Sequence, residues 1–277
     1  MSILRTTKLK TFQLLMELLF CLRQKYSHIS IGSPKLSRDI KDAITIDTST
    51  ITLEQSPVLL QRFNFNRVAD VLPTHEDLFY QDGKPLPCVI ESDYNLSDDW
   101  LRAYNYYPFY FNIYSRLCSD NIHVRMLEIG VRTGYQATVF AKACKNPSSA
   151  FYMGIDPNLY VRNGLQLANK TLQMIRKKVP TFDFALINGY SWEYNIQESV
   201  FYSGPFDIIH IDGDHSLQGK LIDLELSKRI LARGGIVLVD DFDHHPIIKD
   251  AVKKALSVGW FKEFLYLSTF RGLAILA

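Results

Sequence analysis

At 277 residues and 47% hydrophobic side chains, the chain can bury a sizeable core, as one large domain or as one domain with an extension. Its 31 basic and 29 acidic residues leave a net charge of +2, too small to argue for a nucleic-acid or membrane surface from electrostatics alone. Cys21, Cys88, Cys118 and Cys144 form no C-x-x-C pair and stand at no zinc-finger spacing from a histidine, so a reduced, cytoplasmic protein is expected.

Arg5, Lys8 and Lys10 precede an apolar run, Phe12 to Leu22, that is too short to cross a bilayer. Glu17 interrupts this run, and Arg23, Gln24 and Lys25 follow where a signal peptide needs small residues, so it reads as a basic amphipathic helix. From Ser27 to Asp93 the sequence is irregular, with turn-formers at Gly32, Ser33 and Pro34 and again from Gln81 to Pro87. The alternation between Asp42 and Leu53 predicts a strand or hairpin. Residues 1–95 are thus expected to be an N-terminal extension, and 96–277 the catalytic domain. Ser97 as cap, with Asp98 and Asp99 in the first turn, predicts a helix that Pro108 kinks or splits.

Beyond that helix, short apolar runs alternate with longer amphipathic ones. Strands are predicted at Val124 to Ile129, Phe151 to Asp156, Phe182 to Ile187, Phe206 to Asp212 and Gly235 to Asp240. Helices are predicted between them and after them, at Tyr135 to Lys145, Val161 to Lys178, Trp192 to Phe201, Leu217 to Ala232 and Pro246 to Val258. Two further strands, from Glu263 and from Gly272, are joined by a link too short for a crossover, which makes them an antiparallel hairpin. The expected fold is α/β: a Rossmann-like, doubly wound, mostly parallel sheet of seven strands with a C-terminal antiparallel hairpin. A ligand then lies beyond the carboxyl ends of the strands.

The first of these strands ends in LEIGVRTGYQA, which puts Glu128, Gly130 and Gly134 on the strand end, the tight turn and the following helix. Gly130 lets backbone approach a ligand closely, and the helix start offers free N–H donors. Arg132 stands where a dinucleotide fingerprint has its second glycine, which weighs against NAD. A sulfonium ligand has no pyrophosphate to cradle, and an acid such as Glu128 suits its amino group. Asp156, 28 residues after Glu128, closes the second strand, where a carboxylate can accept from both ribose hydroxyls. Gly189, Tyr190 and Ser191 follow the third strand and shape an adenine pocket or an ordinary turn and cap.

The fourth and fifth strand ends carry eight ionisable groups: Asp212, Asp214, His215, Asp240, Asp241, Asp243, His244 and His245. Neighbouring parallel strands bring them to one sheet edge, where like charges repel unless a cation or a proton separates them. Asp212, Asp240 and Asp241 form a hard oxygen set suited to magnesium, manganese or calcium, able to acidify and orient a substrate hydroxyl. Asp214 or a nearby histidine, His215 foremost, is the candidate general base.

Taken together, LEIGVRTG, GIDPN, IDGDHS and DLELSKRILARGGIVLVDDF resemble class I S-adenosylmethionine-dependent methyltransferases, in particular the metal-dependent macrocin-type and natural-product O-methyltransferases. The likeness covers about Asp98 to Ala277. It implies that Glu128, Gly130 and Asp156 contact S-adenosylmethionine, and Gly134, Gly189, Tyr190, Ser191 and Asp212 are expected to complete that site. It also implies magnesium on Asp212, Asp240 and Asp241, and Asp214 as base. Tyr190 stands where many relatives carry an acid for the adenine amino group. In related enzymes, N-terminal segments form lids or dimer contacts. The expected activity is O-methylation of a sugar or small-metabolite hydroxyl, with no nucleic acid or transmembrane segment implied and a homo-oligomer left open. A metal-independent methyltransferase and a non-catalytic binding protein of the same fold are the alternatives.

Overall fold

Local capping fixes most of the elements that precede the sheet. The computed structural model describes residues 36–63, 73–90, 106–120, 122–144, 149–157, 164–269 and 271–277, all within one unit, Leu36–Ala277. The apolar run from Phe12 and the cap at Ser97 lie outside the described residues. Helix α1 (Arg38–Ile44) starts where the Ser37 hydroxyl accepts from Ile40 N–H at 3.2 Å, and it buries Ile40 and Ala43. The strand expected from Asp42 therefore does not form. Its first residues finish a capped helix, and the Lys254 ammonium donates to the carbonyls of Ile44 and Ile46, which a ladder would have needed.

Helix α2 (Pro57–Arg62) is capped by Ser56, and α3 (His75–Phe79) by a reciprocal Thr74–Asp77 box. Strands β1 (Tyr80–Gln81) and β2 (Lys84–Pro85) form a hairpin around Asp82 and Gly83, whose φ values of 53° and 75° suit a primed turn. Helix α4 (Pro87–Ile90) follows. Helix α5 (Tyr106–Asp120) runs through Pro108 unbroken, because that proline falls in the first turn, where no intrahelical N–H is lost.

The remaining elements alternate as expected. They are β3 (His123–Ile129), α6 (Tyr135–Ala143), β4 (Ser149–Asp156), α7 (Gly164–Lys178), β5 (Phe182–Asn188), α8 (Tyr194–Ser203), β6 (Phe206–Ile211), α9 (Leu217–Ile230), β7 (Leu231–Val239), α10 (Pro246–Ser257), β8 (Phe264–Leu267) and β9 (Leu273–Leu276). The sheet order is β5-β4-β3-β6-β7-β9-β8; the first five are parallel, and β9 is antiparallel to both neighbours. Strand β7 starts at Leu231, earlier than the expected Gly235, because a register irregularity opposite Phe206 and Ile208 admits the Arg233–Gly235 stretch.

One face of the sheet packs Met126, Tyr152, Phe182 and Ile208 against Tyr110, Tyr114 and Phe140, all buried, so the aromatic stripe of α5 is chiefly core. The segment before α2 covers the edge strand β8: Ser56 N–H donates to Phe264 O at 2.7 Å, and Tyr266 N–H donates to the Gln55 side chain at 2.9 Å. Residues 73–90 are tied down where Cys88 N–H donates to Thr171 Oγ1 at 2.9 Å and Lys142 donates to Asp77 O at 2.7 Å. Among the described residues, no helix is long and apolar enough to cross a membrane.

Candidate active site

The strand ladders continue one step beyond the strands, and this lines up the loops. Gly130 N–H donates to Ile155 O at 2.8 Å, Asp212 N–H to Ile129 O at 2.8 Å, Asp240 N–H to Ile211 O at 3.1 Å, and Gly189 N–H to Asp156 O at 3.2 Å. Gly130, Asp156, Gly189, Asp212 and Asp240 therefore stand in one row along the carboxyl edge. The fit between two of these loops is tight: a Cβ on Gly130, whose φ is 99°, would lie 2.3 Å from Asp212 O. Gly134, with φ 91°, caps α6 and packs against Ala168.

Asp156 is buried at the end of β4, and its Oδ2 accepts from Arg132 N–H at 2.7 Å, which holds the carboxylate over the turn after β3. After β5, Tyr190 stacks on Trp192 with ring centroids 4.3 Å apart, and the buried Trp192 Nε1 has no hydrogen-bond partner. Tyr190 N–H donates to Glu193 Oε1 at 2.8 Å. The Ser191 hydroxyl is turned to Asp223, whose carboxyl burial pushes up to about 6 against the pull of Lys220 and of Ser191 itself.

Glu128 lies within the sheet, one residue short of the end of β3. It accepts from the Tyr152 hydroxyl and stands 3.8 Å from His210 Nδ1. Burial pushes this carboxyl well above its ordinary range and drives His210 down to about 4, so the two share the interior as neutral groups.

At the acidic edge His215 is central: its Nε2 lies 3.7 Å from Asp212 Oδ1 and 3.5 Å from Asp241 Oδ2. For Asp212, burial favours the neutral form, but His215 at 3.7 Å and the nearby Lys220 outweigh it and hold the carboxyl below its ordinary value. Asp240 turns towards α5 and accepts from the Tyr106 hydroxyl, leaving Oδ1 buried with no partner. Burial, then repulsion from Asp212 and Asp241, pushes it up to about 7. Asp241, fully buried at φ 58°, accepts at both oxygens from Arg271 Nη1, at 2.9 and 3.2 Å. Asp214 is engaged by its own loop: its oxygens accept from Ser216 N–H and Oγ, both at 2.9 Å, ahead of α9.

The structure thus brings Asp212, Asp240 and Asp241 to one edge with different orientations. Among the described residues, the group whose ligand atoms fall within 4.8 Å of one another is His215, Asp241 and His245. Trp192, Tyr106 and Arg271 belong to the site although the sequence reading did not select them. Arg271 had a signal: once β9 pairs with β7, the link before it must pass the DDF turn, and Asp243 N–H indeed donates to Arg271 O at 2.9 Å.

Residues 127–242 match a family described as a methyltransferase domain. The O-methyltransferase ankF of Aspergillus thermomutatus is 27% identical over 134 residues, which are 48% of this chain and 52% of that protein. The chain therefore spans about half the length of the curated relative it matches. The apo structure of the TDP-rhamnose 3'-O-methyltransferase of calicheamicin biosynthesis covers 83% of this chain and 98% of its own, at 17% identity and a TM-score of 0.52. An O-methyltransferase from Bacillus cereus in complex with SAH covers 92% and 96%, at 12% identity and a TM-score of 0.44. Residues 127–242 are thus similar to a methyltransferase domain, and the seven-stranded order with its antiparallel last pair is that of the class I methyltransferase fold.

Proposed function

We propose that the chain transfers a methyl group from S-adenosylmethionine to a hydroxyl of a sugar or other small metabolite, assisted by a divalent cation at the acidic edge. The observation that carries this reading is the placement of His215 Nε2 between the carboxylates of Asp212 and Asp241, beside the strand ends that suit the cofactor.

Two features fit the cofactor. Trp192 Nε1, buried and unpartnered, offers a donor to an adenine nitrogen beside the stacked Tyr190 ring, and the Asp156 carboxylate suits vicinal ribose hydroxyls. The cofactor supplies an activated methyl group, so the protein's work is to orient the acceptor oxygen and take its proton. Of the two candidate bases, His215 is the better placed, because its Nε2 stands between two carboxylates at the strand ends, whereas both oxygens of Asp214 are taken by Ser216.

The donor set also fits a divalent cation. Three carboxylates share the edge, one raised to about 7 by burial and then by its acidic neighbours, and carrying a buried, unpaired oxygen. Asp212, Asp240 and Asp241 would hold magnesium through oxygen, which would acidify a bound hydroxyl. The His215–Asp241–His245 cluster supports a second reading, a site with nitrogen ligands, which favours zinc or another transition metal that prefers imidazole and removes His215 as the base.

Transfer of a labelled methyl group to a panel of polyhydroxylated and phenolic acceptors, before and after chelation, tests the proposal. Turnover lost on chelation and restored by magnesium supports the oxygen set, and restoration by zinc alone supports the histidine set. Turnover that survives chelation leaves methyl transfer standing and removes the cation. Absence of transfer to every acceptor, with the cofactor bound, contradicts the enzymatic reading.

A further inference from the structure

The acidic edge already contains one cation of its own. Arg271 Nη1 reaches both oxygens of the fully buried Asp241, at 2.9 and 3.2 Å, and the arginine side chain is 26% exposed. Its backbone is fixed: Asp243 N–H donates to Arg271 O at 2.9 Å and Phe242 N–H to Gly272 O at 3.1 Å. A Cβ on Gly272 would lie 2.7 Å from atoms of Asp243, so the link cannot shift as a unit without breaking this packing.

We propose that Arg271 is a built-in counter-ion that competes with the divalent cation for Asp241 and so sets the affinity of the site. The inference rests on the cation reading above. A carboxylate with both oxygens on a guanidinium has less charge to offer a metal ion, and a fixed positive group in contact with a ligand repels a second cation. Both candidate ligand sets include Asp241, so the competition acts on either one. Binding of the cation therefore requires the guanidinium to give up at least one Asp241 oxygen. A site tuned in this way fills only when divalent ion is plentiful or when an acceptor draws Arg271 aside.

Manganese binding to the full chain, followed by electron paramagnetic resonance, tests this without any turnover. Arg271→Gln removes the charge but keeps a donor, and should bind Mn²⁺ about tenfold or more tightly than the wild type, the change expected from about one pKa unit of electrostatic interaction. Arg271→Lys keeps the charge and should bind within about threefold of the wild type, and Asp241→Asn should abolish binding in any background. A measurement on the wild type does not depend on the variants folding: the Arg271 side-chain N–H resonance should shift as Mg²⁺ saturates the site. An unchanged or weaker Arg271→Gln affinity, or an unmoved resonance in a protein that binds Mg²⁺, overturns the counter-ion role and leaves the cation site standing. If no variant and no wild-type protein binds Mn²⁺ or Mg²⁺, the cation reading fails and takes this inference with it.

Discussion

Replacing Gly130 by alanine should destabilise the protein through two separable effects. Its φ of 99° is outside the range that L-residues adopt at ease, which costs about 1–2 kcal/mol, and the new Cβ would lie 2.3 Å from Asp212 O and 2.9 Å from Gly213 N. These are backbone atoms of the neighbouring loop, so no side chain can swing away, and overpacking of this kind adds about 1–3 kcal/mol. Gly259 is the matched control: its φ is 75°, but no atom lies within 4 Å of a Cβ there, so Gly259→Ala should show the conformational cost alone. Urea unfolding of both variants gives the comparison. Gly130→Ala should lose about 2–5 kcal/mol and Gly259→Ala about 1–2, with equal m-values. The cofactor affinity of Gly130→Ala should fall as well, since the loops after β3 and β6 must part. Equal losses in the two variants would refute the claim that these loops are locked in contact.

Two other predictions concern groups whose partners are known. Trp192→Phe keeps a ring against Tyr190 but removes an N–H that has no partner in the free protein, so cofactor affinity should drop about fivefold to tenfold while stability holds. Unchanged affinity by calorimetry would take Trp192 out of the adenine site. Asp223, raised to about 6 from 3.8, binds its proton more tightly in the folded state than in the unfolded one. Its contribution is therefore complete below the unfolded value and declines as pH rises through the folded value. Asp223→Asn, which stays neutral, should gain stability relative to the wild type between pH 4 and pH 7, by on the order of 3 kcal/mol. A difference that stays flat with pH would place the carboxyl at its ordinary value.

Much of the fold was legible because burial on both faces of a parallel sheet leaves short, continuous apolar runs, and the helices between them keep a 3.6-residue period. FYMGID and FDIIHID were found within a residue or two at each end for that reason. Asp42 to Leu53 misled because its alternation is real but lies over a helix end and a segment whose carbonyls are taken by Lys254, a residue more than two hundred positions away. The same limit applies to the site. Order along the chain shows which carboxylates reach the edge, but not where they point once Tyr106 and Arg271 engage Asp240 and Asp241. Glu128 was legible as a strand-end residue from its sequence position, but its burial there was not, with its carboxyl accepting from the Tyr152 hydroxyl. Cys118 and Cys144, which no short spacing links in the sequence, lie with their sulfurs 2.9 Å apart, because α5 and α6 pack side by side.

The most direct test of the central claim is isothermal titration of the protein with S-adenosylmethionine, run beside Asp156→Ala. The geometry predicts saturable one-to-one binding to the wild type, weakened at least tenfold in the variant, by the loss of charge-assisted hydrogen bonds to the ribose. Binding of equal strength in both would move the cofactor away from the end of β4, and no binding to the wild type would contradict the account as a whole.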